Sequence, residues 1–217
     1  MRTAAGRVVI HLGLDQDDPS RDRYVTGGSD DLKVRVTAER MTLSEYVNQL
    51  MVDALQDPDV DIVGFMGDDH RPRTNGWDSR IRAAMAALGP GGGLVYCADG
   101  FQNEKLPTAA FFPRGLLERL GKFCPHHAMD HMYLDDYWLA LGRAIGRVAY
   151  LDDVMIEHCH PIVGKAETDR IYEASAAKAV ADQHAWNLYR AAGKFAQDAR
   201  AAEAWISDCM RKETGDG

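Results

Sequence analysis

The first hundred residues alternate between short apolar segments with the two-residue period of β-strands and longer segments with the helical period. The predicted strands are 7–14, 32–37, 62–66 and 93–98, and the predicted helices are 42–55 and 77–88. Strands that alternate with helices are usually joined by crossover connections. This order therefore predicts an α/β domain with a mainly parallel sheet and helices on both faces.

The start of the first long helix carries a capping box. Thr42 can cap the helix, and Glu45 follows three residues later. The apolar residues that then recur at helical spacing are Leu43, Tyr46, Val47, Leu50, Met51, Ala54 and Leu55. This spacing predicts a helix with one apolar face.

The second half of the chain is less regular. The expected elements are a short strand and a short helix in 108–121, a helix in 134–146, and two short strands in 147–161. From Thr168 to Lys212 the composition favours helix, and Gly193 is the only break, so two helices are predicted. We therefore expect a domain at 1–167 and a C-terminal helical extension at 168–217 that packs outside the sheet.

Composition and charge narrow the classes of partner. The 217 residues carry a net charge of -8, so there is no overall electrostatic footprint for duplex DNA or an anionic membrane. No apolar run approaches the roughly 18 residues of a membrane span, and the N-terminus reaches carboxylates too early for a secretory signal. Cys97, Cys124, Cys159 and Cys209 form no CxxC pair, so we expect reduced thiols in a cytoplasmic protein.

Asp68, Asp69 and His70 directly follow the apolar segment 62–66. In open parallel sheets, ligands bind beyond the carboxyl ends of the strands, and this is such an end. Adjacent carboxylates repel each other unless a proton or a cation joins them. Carboxylate and imidazole are ordinary ligands for manganese or zinc. The pattern indicates either a metal site or a turn of solvated acids.

Two histidines follow a later apolar strand. His158 and His160 flank Cys159, and residues two apart on a strand face the same side. A single buried histidine is more often a hydrogen-bonded core residue than a ligand. Two histidines on one face, together with the distant Asp68 and His70, favour a shared metal ion.

Asp135 and Asp136 open the predicted helix at 134–146. The N-terminal end of the helix dipole favours carboxylates, which is a purely structural explanation. The functional alternative is a general base, because a carboxylate held in a cleft can accept a proton from an attacking hydroxyl.

The order of these motifs resembles that of the GT-A glycosyltransferases, especially the family 2-like inverting enzymes. The motifs are, in sequence, the acidic turn "LGLDQDDP", the basic "TAER", the "DDH" turn, the Asp-Asp helix start and the late histidines. The resemblance covers about 7–165 and implies a GT-A-like sheet, a divalent metal (Mn²⁺ or Mg²⁺) and a nucleotide-sugar donor of the UDP- or GDP-sugar class. The acceptor is left open among a glycan, a small molecule and a modified DNA base. A homo-oligomer contact through the C-terminal helices is also left open.

The resemblance implies a role for each matching residue. The implied donor-binding residues are Asp15, Asp17, Arg40, Asp68, Asp69 and Asp99. The implied metal ligands are Asp68, Asp69, His70, His158 and His160, of which either late histidine would suffice. Within the donor set, Asp15 or Asp17 would meet the nucleotide base and Arg40 the rest of the nucleotide.

The catalytic assignment falls on the acidic pair. Asp136 matches the usual base of inverting members, and Asp135 stands where the family usually has glutamate. Trp77 and Trp138 are either apolar platforms for sugar rings or core residues. The chain also departs from the family at its first strand, since 7–14 resembles the family's second strand, and at Gly67, which stands at the first position of the longer acidic motif.

Three alternatives remain. A nucleotidyltransferase uses a similar sheet and paired carboxylates, but usually has a Gly-rich basic loop after its first strand, which "GLDQDDPSRD" is not. A zinc hydrolase would have to use histidines that lack the H-E-x-x-H spacing, namely His126, His127, His131, His158 and His160. A non-catalytic nucleotide- or sugar-binding relic of the same fold is the third.

Overall fold

A computed structural model describes residues 3–27, 29–165 and 170–215. The strands are β1 (Ile10–Asp15), β2 (Leu32–Thr37), β3 (Ile62–Gly64), β4 (His70–Pro72), β5 (Leu94–Ala98), β6 (Ala110–Pro113) and β7 (Val148–His158). The α-helices are α1 (Arg21–Thr26), α2 (Leu43–Ala54), α3 (Trp77–Ala87), α4 (Arg114–Leu120), α5 (Leu134–Ala144), α6 (Arg170–Ala191) and α7 (Lys194–Thr214). Among the helices in these ranges, none has the length and apolar character needed to cross a membrane.

Five strands form a mixed sheet in the order β3-β6-β5-β7-β4. In this sheet β5 and β7 are parallel, whereas β3–β6, β6–β5 and β4–β7 are antiparallel pairs. The chain is α/β as predicted, but the prediction of a mainly parallel sheet is wrong. Parallel neighbours need a long crossover, usually an α-helix. The connection from β5 to β6 contains a single 3-10 turn, at Asn103–Lys105, and the chain returns antiparallel.

β1 and β2 form a separate two-stranded parallel sheet. α2 lies directly against it: a Cβ at Gly13 would come 2.5 Å from Cδ1 of Tyr46, so glycine permits this approach. α2 begins with the predicted capping box. Thr42 Oγ1 accepts the N–H of Glu45, and the Glu45 carboxylate accepts the N–H of Thr42. The start of α2 is thereby fixed beside this small sheet.

Helices cover both faces of the five-stranded sheet, as predicted. Along β5, Val95 and Cys97 belong to the core that packs against α3. The alternate residues Leu94 and Tyr96 belong to the larger core that packs against α5. Because successive strand residues point to opposite faces, a strand that is apolar at every position is buried on both sides.

α6 and α7 pack mainly on other helices. α7 contacts α4, α5 and α6, and Trp186, Tyr189 and Ala202 are buried in the same core as α5. The prediction of two helices outside the sheet is confirmed, with the break at Gly193, whose φ is 72°. The domain boundary at residue 167 stays a prediction, because the core is shared across it.

The segment 147–161 contains one long strand instead of the predicted two. β7 pairs with β5 over 148–151 and then shifts register, so that Ala98 is the partner of Met155. Asp152 and Asp153 are exposed at this bulge. Beyond it β7 also pairs with β4. The two apolar runs are therefore the halves of one strand that a bulge separates.

Gly115 of α4 lies against the indole of Trp205 on α7, where a Cβ would come 2.2 Å from Cη2. The indole is anchored, because its Nε1 donates to the carbonyl of Gly91 at 3.0 Å. Gly115→Ala therefore adds overpacking, which costs about 1–3 kcal/mol. Gly115 lies in the first turn of α4, so the gain in helix propensity is smaller than the roughly 1 kcal/mol of a helix interior. We expect urea denaturation to show a free energy of unfolding lower by about 1–2 kcal/mol. An exposed control, Glu203→Ala, should change it by less than about 0.5 kcal/mol; an undiminished stability of Gly115→Ala would contradict the packing.

Candidate functional site

His70 and His158 face each other across the antiparallel pair β4–β7. They are direct register partners, a position at which cross-strand side chains meet. Their rings stack with centroids 4.3 Å apart. His158 ends β7, and its N–H donates to the carbonyl of Asp99, which follows the end of β5, at 2.9 Å. Both histidines therefore lie at the carboxyl edge of the parallel pair β5–β7.

Asp69 lies between the two imidazoles. Its Oδ1 is 3.1 Å from Nδ1 of His70, and its Oδ2 is 3.0 Å from Nε2 of His158. Two N–H groups hold this turn: that of Cys159 donates to the Asp69 carbonyl and that of Gly67 donates to Nδ1 of His70, each at 3.0 Å. A Cβ at Gly67 would come 2.8 Å from Oδ1 of Asp69. A larger residue at position 67 would therefore displace the Asp69 carboxylate from its place between the imidazoles.

Asp99 is a second carboxylate, placed behind the imidazoles. Thr108 Oγ1 donates to Oδ2 of Asp99 at 2.7 Å and lies 3.3 Å from Nε2 of His70. Oδ1 of Asp99 accepts the N–H groups of Phe101 and Asn103 at 2.8 and 2.7 Å. Asp99 is 2% exposed, so its role in this structure is to orient its neighbours. The expected direct contact between Asp99 and the donor is not supported by this burial. No local signal marks Thr108, which reaches the site because β6 pairs with β5.

His158 is held in its charged form by two carboxylates. Burial alone would lower the pKa of His158, but the hydrogen bond and the charge of Asp69, with the charge of Asp99, raise that pKa to about 9. Nδ1 of His158 lies 3.9 Å from Oδ2 of Asp99, which is too long for a hydrogen bond. Among the described residues this buried nitrogen has no hydrogen-bond partner.

Asp69, His70 and His158 form a donor set, here called the metal-ligand cluster, that could hold a divalent cation. One ligand atom of each lies within 4.8 Å of the others. A carboxylate and two imidazoles suit divalent first-row metals, and the unpartnered nitrogen of His158 is a buried polar atom that calls for an explanation. The set is not specific to Mn²⁺ or Mg²⁺, since imidazole also suits zinc and other first-row metals.

Two of the five residues expected as metal ligands lie outside the cluster. Asp68 is exposed on the turn. His160 follows the end of β7, so the strand alternation that predicts a shared face with His158 does not extend to it. Its ring stacks on Phe101 with centroids 4.8 Å apart. The predicted Asp-x-His pair is Asp68 and His70, whereas the aspartate that joins His70 in the structure is its direct neighbour, Asp69.

α5 begins at the same edge, and Asp135 lies in its first turn. The N-cap is Tyr133, whose side chain makes no capping bond, and both acids lie in the first turn, where the helix dipole favours them. Desolvation raises the pKa of Asp135 to about 6; the charges of Asp136 and Asp99 also raise this pKa, while that of His158 lowers it. Burial also raises the pKa of Asp136, while a hydrogen bond from the residue's own backbone N–H lowers this pKa. Asp135 is therefore the acid that is electrostatically coupled to the cluster, whereas the sequence favours Asp136 as the base.

The residues expected to meet the nucleotide lie together at the carboxyl ends of β1 and β2. Nη2 of Arg40 is 3.3 Å from Oδ2 of Asp17, and its Nε is 3.8 Å from Oδ2 of Asp15. The hydroxyl of Tyr46 donates to Oδ1 of Asp15 at 2.8 Å and fixes that carboxylate against α2. Arg40 and Asp17 are 76% and 68% exposed, so their ion pair adds little stability and both can be reached by a ligand.

Trp77 and Trp138 are core residues, 8% and 1% exposed. Trp77 packs against Phe111, and Nε1 of Trp138 donates to the carbonyl of Phe123 at 3.0 Å. Neither indole offers a ring face to a sugar. The alternative in which these two indoles are platforms for sugar rings is therefore wrong, and both are core residues.

The histidines of the zinc-hydrolase alternative do not converge. His126 and His127 pack on each other, with ring centroids 3.7 Å apart, and their charges act on Glu45 at the start of α2. His131 lies closer to the metal-ligand cluster, since the charge of Asp69 affects its pKa, which burial lowers. Among the described side chains, none of these three joins the metal-ligand cluster.

The charged state of His158 predicts a pH dependence of stability in the absence of metal. Its pKa is about 9 in the fold and about 6.5 in the unfolded chain, so its contribution is complete below about pH 6.5 and is lost as pH rises through about 9. With a chelator present, the free energy of unfolding should fall over this window in the wild type. His158→Gln should remove that part of the slope. Parallel curves for the two proteins would contradict the ion pairing of His158 with Asp69 and Asp99.

Comparison of this chain with protein-family models, with curated proteins and with solved structures finds no match.

Proposed function

We propose that the protein is a metal-dependent, inverting glycosyltransferase that moves a sugar from a nucleotide-sugar donor to an acceptor hydroxyl. The observation that carries this proposal is the convergence of Asp69, His70 and His158 at the carboxyl edge of β5 and β7, with Asp135 coupled to them. An acid–imidazole cluster beside a second, desolvated acid supplies the two groups that such a transfer needs.

The metal-ligand cluster would serve the donor diphosphate. When bound, a divalent cation supplies positive charge that stabilises the negative charge developing on the departing diphosphate. Asp69 and the two imidazoles would hold the ion. Thr108, itself bonded to Asp99 at 2.7 Å, meets Nε2 of His70 at 3.3 Å, which leaves Nδ1 for the ion in place of the N–H of Gly67. Such outer contacts set the direction of a ligand's lone pair.

Asp135 is the residue that we assign as general base. An acceptor hydroxyl is a weak nucleophile, and a base is most effective when its pKa lies near the working pH. The pKa of about 6 places Asp135 in that range, ionised at neutral pH yet basic enough to accept a proton. The pKa of Asp136 is shifted by burial and by its own backbone N–H, and not by the charges of Asp99 and His158.

The nucleotide would bind at the ends of β1 and β2. Asp15 is oriented by Tyr46 and can accept hydrogen bonds from a nucleobase. Arg40 is exposed beside it and offers a planar donor group for ribose or phosphate oxygens. The donor that we propose for this site is of the UDP- or GDP-sugar class, as the resemblance implies.

A screen of UDP- and GDP-sugars tests the proposal, with released nucleoside diphosphate measured by chromatography in Mn²⁺, in Mg²⁺ and with a chelator. We expect slow hydrolysis of at least one donor that stops when the metal is removed. Metal-dependent binding without any hydrolysis or transfer would instead favour the non-catalytic relic. Pyrophosphate release from a nucleoside triphosphate and a sugar phosphate would favour the nucleotidyltransferase. Nucleotide binding that is equally tight with and without metal would refute the proposed role of the cluster.

A further inference from the structure

A buried carboxylate on α6 binds three successive backbone N–H groups of a loop next to the site. Asp182 is 4% exposed. Its Oδ1 accepts the N–H of Asp130 at 3.0 Å, and its Oδ2 accepts those of His131 at 3.0 Å and Met132 at 2.8 Å. Successive N–H groups can form an anion-binding concavity, and hydrogen bonds to an ionised group are roughly twice as strong as neutral ones. The loop 130–132 is therefore held by α6.

This loop leads directly into the start of α5. Tyr133 follows Met132 and has a φ of 66°, a conformation that costs a non-glycine residue free energy and persists only where the surroundings impose it. Tyr133 is the N-cap of α5 and stands two residues before Asp135. The backbone angles at this junction set the direction of α5, and with it the position of Asp135.

The middle residue of the loop lies within electrostatic range of the metal-ligand cluster. Burial lowers the pKa of His131, while the charges of Asp182 and Asp69 raise this pKa and that of Lys178 lowers it. The opposite side of the loop is held by α2, because the N–H of Ser44 donates to the carbonyl of Asp130 at 3.1 Å. The loop is thus fixed between α2 and α6.

From these contacts we propose that Asp182 is a positioning residue for the transfer reaction: its carboxylate fixes the loop 130–132 and thereby places Asp135 against the metal-ligand cluster. This inference rests on the proposed function of the site. It makes α6 a part of the active site. The metal and donor contacts come from other segments, so loss of Asp182 should slow turnover and spare donor binding.

Asp182→Asn tests this inference, because it keeps the size of the side chain but turns one acceptor into a donor that faces backbone N–H groups. The first measurement is hydrogen exchange across 128–138, which we expect to become faster by about tenfold or more. The second is metal-dependent donor hydrolysis. We expect kcat to fall by about 10- to 100-fold, as for a small misplacement of a catalytic group. KM and Mn²⁺ affinity should stay within about twofold, since uniform binding is retained.

The chain offers a matched control in Asp78→Asn. Asp78 is also 4% exposed and accepts two successive N–H groups, those of Ala5 and Gly6, at 2.7 Å each, outside the site. Its loss should lower thermal stability but leave kcat and exchange across 128–138 unchanged. A second variant, Asp182→Glu, keeps the charge and should recover part of kcat, and it replaces Asp182→Asn if that variant does not fold.

Unchanged exchange across 128–138 in Asp182→Asn would overturn the inference. So would faster exchange with an unchanged kcat, or an equal loss of kcat in Asp78→Asn. If the wild type processes no nucleotide sugar, the proposed function fails separately. The positioning is then decided by crystal structures of wild type and Asp182→Asn, where an unmoved Asp135 relative to His158 would overturn it.

Discussion

Asp69→Asn is expected to weaken Mn²⁺ binding by more than about 100-fold and to stop metal-dependent hydrolysis of the donor. Loss of an outer-shell partner alone typically costs about 10- to 100-fold in metal affinity, and Asp69 lies at the centre of the cluster. Its oxygens are 3.1 and 3.0 Å from the nitrogens of His70 and His158. Calorimetric titration with Mn²⁺ measures the first effect, and release of nucleoside diphosphate measures the second.

Asp68→Asn is the control for this variant, since it removes the same charge one residue earlier in the chain. Asp68 is exposed, so we expect Mn²⁺ affinity and hydrolysis within about twofold of the wild type, as for a surface substitution. If Asp68→Asn removes metal binding and Asp69→Asn does not, the ligand is Asp68 and the turn must rearrange when the ion binds. If neither changes the affinity, the metal-ligand cluster is a structural ion network.

Asp135→Asn is expected to lower the turnover of transfer by about 10²- to 10⁴-fold, the usual contribution of a general base. The amide retains the size of the carboxyl group but cannot accept the proton. Metal and donor binding should be unchanged, because both depend on other segments. In the wild type, the turnover should also fall as pH drops through about 6, since the pKa of Asp135 is about 6 and the base must be ionised.

Asp136→Asn provides the comparison within the same helical turn. We expect a loss of less than about tenfold, because Asp136 is not the acid coupled to Asp99 and His158. A large loss in Asp136→Asn with a small one in Asp135→Asn would restore the assignment that the family resemblance implies. Full transfer by both variants to a defined acceptor would remove the general-base step from the mechanism.

Local patterns predicted the elements that depend on neighbouring residues. The capping box of Thr42 and Glu45, the helix that starts near Trp77 and the break at Gly193 all appear where the sequence places them. These signals are contained within one turn of helix or one change of backbone direction. The mixed order of the sheet could not be predicted in this way, because it depends on which strand β6 meets after its short connection.

The candidate site follows the same division. The sequence marks Asp69, His70 and His158 as polar residues at the ends of apolar strands. Their meeting requires the β4–β7 pairing, which joins segments far apart in the chain. The choice between Asp135 and Asp136 depends on how α5 is rotated about its axis, since successive helical residues point about 100° apart. That rotation is set by the loop 130–132 and by Tyr133. The backbone conformation of this segment cannot be predicted from its composition.

The bulge in β7 has a consequence for how the chain can change length. The strand before the bulge is held by β5 over 148–151, and the strand after it is held by β4 over 156–158. An inserted or deleted residue at Asp152 or Asp153, which are exposed, leaves both pairings intact. The same change between Val154 and His158 would reverse the alternation of every following side chain and turn the imidazole of His158 to the opposite face. We therefore expect changes in length to be tolerated in the middle of this strand and not in its last five positions.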